Sequence, residues 1–162
     1  MKLIIGDIFE FHIGKGNLAY GQIIKIPEKK AYTIVIFEKL YKVRPSIDKI
    51  IKDKILLFGN TFDAKFYHKH WQVIANNSSN ISDIQIPFYK IGTEPVYIEN
   101  FDGVVIREAL EHEEEILTYR EFVAPVRFES AIKAYYNKSD WDIKYNSLLY
   151  SNIQYANNRI DL

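Results

Sequence analysis

Two histidines two residues apart, in His68-Lys69-His70, are the first side chains whose spacing could support chemistry. On a strand, residues i and i+2 project from the same face, as a pair of imidazole ligands to a metal ion would need to do. A third ligand would have to come from elsewhere, and no spacing identifies it among His12, His112 or the acids. Ordinary polar positions leading into a strand are the simpler interpretation. We therefore predict no metal site and no cofactor, and keep a metal-dependent enzyme as the second alternative function.

Acid–base catalysis is the next chemistry to consider, because His112 is followed by Glu113, Glu114 and Glu115. On a helix, four consecutive side chains point around most of the circumference and do not converge on one substrate. The chain has no Cys, which excludes disulfides, thiolate metal sites and a Cys nucleophile. It also lacks the GxxxxGK[ST], GxSxG and HExxH motifs. The sequence thus predicts a protein that is not an enzyme.

Basic side chains are concentrated in residues 25–54, which hold nine Lys and Arg against four acids. Tyr32, Phe37 and Tyr41 lie among them, and such a mixture on a small β meander can bind single-stranded nucleic acid. The net charge of zero argues against this function, because binding to phosphates favours an excess of positive charge. A small β-rich nucleic-acid-binding protein is therefore the first alternative.

Acidic side chains are concentrated in residues 82–121, which hold ten Asp and Glu against three Lys and Arg. An acidic face can speed the approach of a basic partner, although pairing with the basic first half is the simpler interpretation. Aromatic residues make up 15% of the chain, and Tyr is frequent in protein contacts. We therefore predict that this block binds a partner protein. Its candidate residues are Asp83, Tyr89, Glu94, Tyr97, Glu99, Asp102, Glu113, Glu114 and Glu115.

The elements that must position these residues begin with strands, because the first two thirds of the chain alternate between apolar and polar positions. Turn residues separate the first three runs, which predicts a three-strand meander. Pro87 makes its segment an edge strand or an extended stretch. Asp102-Gly103 predicts a type I′ hairpin. The predicted strands span 7–13, 18–26, 32–40, 55–58, 71–75, 84–91, 95–101 and 104–108.

Helices are predicted after residue 110, with a single helical turn earlier at Ser46. The first spans 111–121 and ends at Pro125, and the second follows an apolar stripe from Phe128 to Tyr136. Ser139 and Asp142 resemble a cap for a third helix over 141–149. The sequence thus predicts an α+β fold, with an antiparallel meander or partly closed sheet followed by two or three helices. Its 162 residues fit one domain, strand-rich over 1–109, helical over 110–152 and frayed over 153–162.

The location of the protein is predicted from what the chain lacks. No stretch approaches the roughly 18 apolar residues of a membrane span. The first residues carry Lys2, Asp7 and Glu10 and do not form the apolar run of a signal peptide. We expect a cytoplasmic protein with no membrane contact.

Several short blocks occur in a fixed order over residues 3–120. They are Gly6-Asp7-Ile8-Phe9, Ala19-Tyr20-Gly21-Gln22-Ile23, Trp71-Gln72-Val73-Ile74-Ala75-Asn76, Ile86-Pro87-Phe88, and Ile106-Arg107-Glu108-Ala109 leading into Glu113-Glu114. In this order they resemble the immunity protein 26 family of bacterial polymorphic toxin systems. The resemblance implies a cytosolic protein, made beside a toxin gene, that binds the toxin and blocks it. It implies no catalytic residues, and nucleases are frequent among the toxins of such families.

Overall fold

Two antiparallel sheets organise the fold in the computed structural model, which describes residues 2–162. The strands are Asp7–His12 (β1), Leu18–Glu28 (β2), Ala31–Phe37 (β3), Ile55–Phe62 (β4), Gln72–Asn76 (β5), Tyr89–Ile91 (β6), Tyr97–Glu99 (β7) and Val105–Glu108 (β8). The first sheet has the order β4-β3-β2-β1-β5, and the second has the order β6-β7-β8. The predicted three-strand meander is therefore the centre of the first sheet.

Short helices connect and cover the sheets. They are Ile47–Lys52 (α1), Ala64–Tyr67 (α2), Glu111–Ile116 (α3), Pro125–Tyr135 (α4) and Tyr150–Asn157 (α5), with 3₁₀ helices at Ile81–Asp83 and Ile143–Leu148. The predicted turn at Ser46 is α1, whose Lys49 N–H donates to the Ser46 hydroxyl. With an early sheet and later helices, the predicted α+β class is confirmed. No helix within residues 2–162 combines the length and apolarity that a bilayer crossing requires.

The first sheet is buried on both faces, and all seven residues of β3 are buried. On one face, Phe9 packs with Trp71 at 4.9 Å between ring centroids, and α4 contributes Phe128 to the same cluster. On the other face, Ile8 and Tyr150 belong to a second cluster with α1 and α5 beside it. Alternation along β1 predicted one buried face only; the later helices bury the other one as well.

Two helix predictions were wrong in their boundaries. Pro125 does not end a helix but occupies the first turn of α4, where its missing N–H costs nothing and its fixed φ fits the helix. The helix predicted over 111–121 ends at Ile116, and residues 117–124 form no helix but make isolated bridges at Tyr119 and Phe122. The helix predicted over 141–149 is a 3₁₀ helix capped by Asp142, and the segment predicted to fray is helical as far as Asn157.

The second sheet docks on the first through aromatic side chains. Tyr89 and Phe101 are buried in the cluster that covers the second face of the first sheet. On the other side of the second sheet, Ile98 is buried against Ala109 and Leu117. Each side of the second sheet therefore has buried residues, while other side chains of β6, β7 and β8 are exposed.

Candidate partner-binding surface

Exposed apolar side chains collect on the second sheet. Tyr97 of β7 lies between its register partners Ile91 of β6 and Glu108 of β8, and all three side chains are exposed. Three consecutive β-branched residues follow, Val104 just before β8 at 58% exposure and Val105 and Ile106 in β8 at 52% and 42%. We call this group the second-sheet surface. It consists of Ile91, Tyr97, Val104, Val105, Ile106 and Glu108.

The turn between β7 and β8 is built by an asparagine. Asn100 Oδ1 accepts hydrogen bonds from the backbone N–H groups of Asp102 and Val104, each at 3.0 Å. Gly103 has a φ of +84°, whereas Asp102 does not take a positive φ. A type I′ turn requires positive φ at both central residues, so the hairpin prediction was right and the predicted turn type was wrong. The prediction did not include Asn100, whose side chain provides the hydrogen-bond acceptor for the two backbone N–H groups of this turn.

An ion pair between a half-buried arginine and a buried carboxylate fixes α3 against β8. Glu113 is 1% exposed and accepts two hydrogen bonds from the Arg107 guanidinium, at 2.7 and 2.8 Å. It also accepts the Leu110 N–H at 2.9 Å, and Arg107 reaches the Asp161 carbonyl at 2.9 Å. The hydrogen bonds from Arg107 hold the pKa of Glu113 below its ordinary value of 4.5, despite the burial that opposes this. Glu113 is thus a structural carboxylate.

Arg120 holds the opposite side of the same sheet. Its guanidinium stacks 4.3 Å from the Tyr89 ring centroid, pairs with Glu99 at 3.3 Å and donates to the Asn100 carbonyl at 3.1 Å. The Tyr89 hydroxyl accepts a hydrogen bond from Asn60 Nδ2, and burial raises the Tyr89 pKa. Tyr89 therefore joins the two sheets through Asn60 of β4, Glu99 is held by Arg120, and neither side chain faces solvent.

The nine predicted partner-binding residues fall into two groups. Tyr89, Glu99 and Glu113 are buried and make the internal contacts just described, so their side chains are not available to a partner in this structure. The others are on or near the surface. They are Asp83, Glu94, Tyr97, Asp102 and Glu115, which are exposed, and Glu114, which is half-buried.

The exposed acids flank the second sheet and do not converge on a point. Glu94 lies in the turn before β7 and Asp102 in the turn after it, so the two lie at opposite ends of that strand. Glu115 lies on α3, which directly follows β8, and Asp83 lies in the 3₁₀ helix before β6. Sequence reasoning missed the apolar residues Val104 to Ile106 between these acids. The available signal was a run of β-branched residues on the last strand of a meander.

The histidine pair lies in a turn, which differs from the strand geometry considered above. His68 caps the end of α2, Lys69 has a φ of +61°, and β5 begins only at Gln72. The His68 and His70 rings are exposed, with centroids 6.2 Å apart. Across residues 2–162 there is no group of three or more His, Cys, Asp or Glu side chains able to hold a metal ion.

The aromatic residues of the basic segment 25–54 are mostly unavailable for stacking on bases. Tyr32 and Phe37 are buried in the two core clusters. Tyr41 is half-buried between the ammonium groups of Lys39 and Lys49, and its hydroxyl donates to Asp53. Base stacking needs accessible aromatic faces, so this geometry gives the nucleic-acid alternative no specific support.

The fold is that of a small α+β protein whose second-sheet surface exposes apolar side chains with acidic side chains around them. A family model described as Immunity protein 26 matches residues 4–95, which is more than half of the chain. The chain belongs to the immunity protein 26 family, as the order of the short sequence blocks predicted. The matched segment covers the first sheet and β6, and it ends before β7. No curated protein and no solved structure matches the chain.

Proposed function

We propose that the protein binds a cognate toxin and neutralises it by covering the active site or a surface next to it. The observation that carries the proposal is the match to the immunity protein 26 family over residues 4–95. The protein acts in the cytoplasm of the bacterium that makes the toxin, as one component of a polymorphic toxin system, and it does so without catalysis.

The second-sheet surface supports this function because its residue types are those of protein contacts. Tyr97 offers a large, partly rigid side chain, and Val104 to Ile106 offer apolar area. Glu94, Asp102 and Glu115 are exposed around it, and they form no ion pair with another side chain of residues 2–162. Free acids beside an apolar patch favour a basic partner, and the nucleases, whose active sites bind phosphate, are one such class.

The test is whether this protein restores growth to cells that express the toxin domain encoded beside its own gene. Cells that express the toxin domain are expected to stop growing, and co-expression of this protein is expected to restore growth. The purified pair is expected to elute from gel filtration as one stable complex. A toxin from an unrelated system, expressed at the same level, is the matched control and is expected to kill with or without this protein.

Failure of rescue would contradict the proposal under two conditions: the toxin alone is active, and this protein is folded when co-expressed. Rescue without a complex would contradict the occlusion mechanism, since a protein that acts by covering its target must remain bound to it. Titration of the toxin's activity with increasing protein then gives the stoichiometry, which occlusion predicts to be fixed.

A further inference from the structure

Strand β8 has an open edge. In the second sheet it is hydrogen-bonded to β7 alone, and no other strand within residues 2–162 pairs with its outer side. The opposite edge of that sheet is closed, because the Lys90 N–H donates to the Thr118 carbonyl at 3.0 Å and the two segments form a bridge. An open edge presents unpaired backbone groups to any extended chain that reaches it.

The register shows which backbone groups face outward. Ala109 N–H donates to the Val96 carbonyl at 2.9 Å, and Glu108 is the register partner of Tyr97. In an antiparallel ladder this pattern makes Glu108 and Tyr97 a non-hydrogen-bonded pair, so the N–H and C=O of Glu108 point away from β7. The C=O already accepts a hydrogen bond from Arg107 Nη1 at 3.0 Å. The Glu108 N–H is therefore a donor aimed at the open edge.

The first part of this edge, Val104 to Ile106, lacks the usual protection. Natural edge strands are commonly guarded by Lys, Pro or inward-pointing charges. Here Val104, Val105 and Ile106 are all exposed and include no Lys or Pro. The one cation of the strand, Arg107, pairs with Glu113 and donates to the Glu108 carbonyl, so it protects only the end of the strand. The open edge of the first sheet differs, because the apolar side chains of β5 are half-buried against the core clusters.

Charge selects among possible occupants of the edge. Asp102 precedes β8, Glu108 is its last residue, and Glu111 follows in the first turn of α3; all three are exposed. A second copy of this chain, paired edge to edge, would bring two sets of acids together, and like charges across a strand pair are destabilising. A strand with basic residues at its ends would meet opposite charges.

We propose that the toxin binds by adding a strand to β8. The added strand is an extended toxin segment with apolar side chains at its centre and Lys or Arg at its ends. Main-chain hydrogen bonds, including one from the Glu108 N–H, supply the alignment, while Val104, Val105 and Ile106 supply apolar contact. This inference rests on the proposed function and names the surface through which it is carried out.

The test compares Glu108→Pro with Glu108→Gln in the full-length protein, using the neighbouring toxin domain as the probe. Proline removes the outward N–H and is compatible with an edge strand whose N–H faces solvent. Glutamine keeps the N–H and removes the charge. We expect Glu108→Pro to raise the dissociation constant on the order of 10- to 100-fold, because a toxin carbonyl loses its donor in a buried contact. Glu108→Gln is expected to change it only a few fold at physiological salt.

A second pair of variants guards against misfolding of the proline variant. Ile106→Lys places a charge on the edge, and Val43→Lys places the same charge at a residue that is 79% exposed and lies outside the second sheet. Only Ile106→Lys is expected to weaken binding. Amide hydrogen exchange of β8 is expected to slow when the toxin is added.

The outcomes separate this inference from the proposed function. If the wild-type protein binds the toxin and both Glu108→Pro and Ile106→Lys bind it equally well, edge pairing is wrong and the immunity function stands. If the wild-type protein neither binds nor rescues, the function itself fails. A wild-type dimer that Ile106→Lys dissociates, with toxin binding unchanged, would assign the edge to a second copy and overturn the inference.

Discussion

Glu113 carries a charge that the sequence assigns to partner binding, but in the structure this charge stabilises the fold. It is the least exposed acidic side chain of residues 2–162, and its two oxygens accept from Arg107 and from the Leu110 N–H. The carboxylate thereby joins β8 to the first turn of α3 and closes the capping arrangement at Leu110. Removing the charge leaves the guanidinium of Arg107 with a weaker acceptor at the boundary of the core.

We expect Glu113→Gln to lower the free energy of unfolding at neutral pH by about 2 kcal/mol, the usual size for a lost hydrogen bond to a charged group. A carboxyl whose folded pKa is depressed adds stability at pH values above its unfolded pKa. That stability is lost as the pH falls through the folded pKa. The Glu113 pKa is lowered from 4.5. The difference in unfolding free energy between the wild-type protein and Glu113→Gln should therefore shrink as the pH falls below 4.5. Urea unfolding at several pH values measures the difference.

Glu115→Gln is the matched control for this prediction. Glu115 lies on the same helix, is exposed and takes part in no ion pair of the described chain, so the substitution should leave the unfolding free energy nearly unchanged at each pH. If the difference in unfolding free energy between wild type and Glu113→Gln stayed constant from neutral to acid pH, the assigned role of the Glu113 charge would be wrong.

At the scale of elements, the β7–β8 hairpin carries most of the candidate surface and depends on one amide side chain. Asn100 Oδ1 accepts two backbone N–H groups across the turn. We expect Asn100→Ala to destabilise the protein by about 1–2 kcal/mol, since both N–H groups lose their partner. Faster amide exchange in β7 and β8 than in β1 to β3 would locate the effect in the hairpin.

Asp102→Ala in the same turn is the control, because the exposed Asp102 side chain makes no hydrogen bond to another residue of 2–162, while its N–H keeps its bond to Asn100. Its melting temperature should match the wild-type value. Equal destabilisation by the two substitutions would mean that the turn conformation, and not the Asn100 amide, determines the stability of the hairpin.

Elements with a strong local pattern could be predicted from the sequence, and those set by distant contacts could not. The meander of β1 to β3 and the apolar stripe of α4 follow from alternation and from 3.6-residue periodicity. Pro125 could equally end one helix or begin the next, and its neighbours decide which. The pairings of Arg107 with Glu113 and of Arg120 with Glu99 join residues 6 and 21 positions apart, and no pattern marked them. For that reason Glu99 and Glu113 were predicted as contacts although they are buried, and the same holds for Tyr89, whose partners Asn60 and Arg120 are also distant in sequence.

At the scale of the whole molecule, the two halves of the chain carry opposite charge that is not cancelled by pairing between them. Residues 1–81 have a net charge of +6 and residues 82–162 a net charge of −6. Five ion pairs occur within residues 2–162, and Lys65 with Glu129 is the one that joins the halves. The remaining acids of the second half are therefore free to act on an approaching partner through their field.

Reversing two exposed acids at the ends of β7, with Glu94→Lys and Asp102→Lys, should slow toxin association roughly 10-fold at low ionic strength, because the field that attracts a basic partner is reduced. The rates of variant and wild type should converge as salt is added, since screening removes the difference. Stopped-flow or surface-binding kinetics over a range of salt concentrations measures this.

The control is Asp48→Lys with Asp140→Lys, which changes the net charge equally at exposed acids outside the second sheet. Equal slowing by both pairs would mean that total charge, and not the acids beside the second-sheet surface, guides the toxin to the protein.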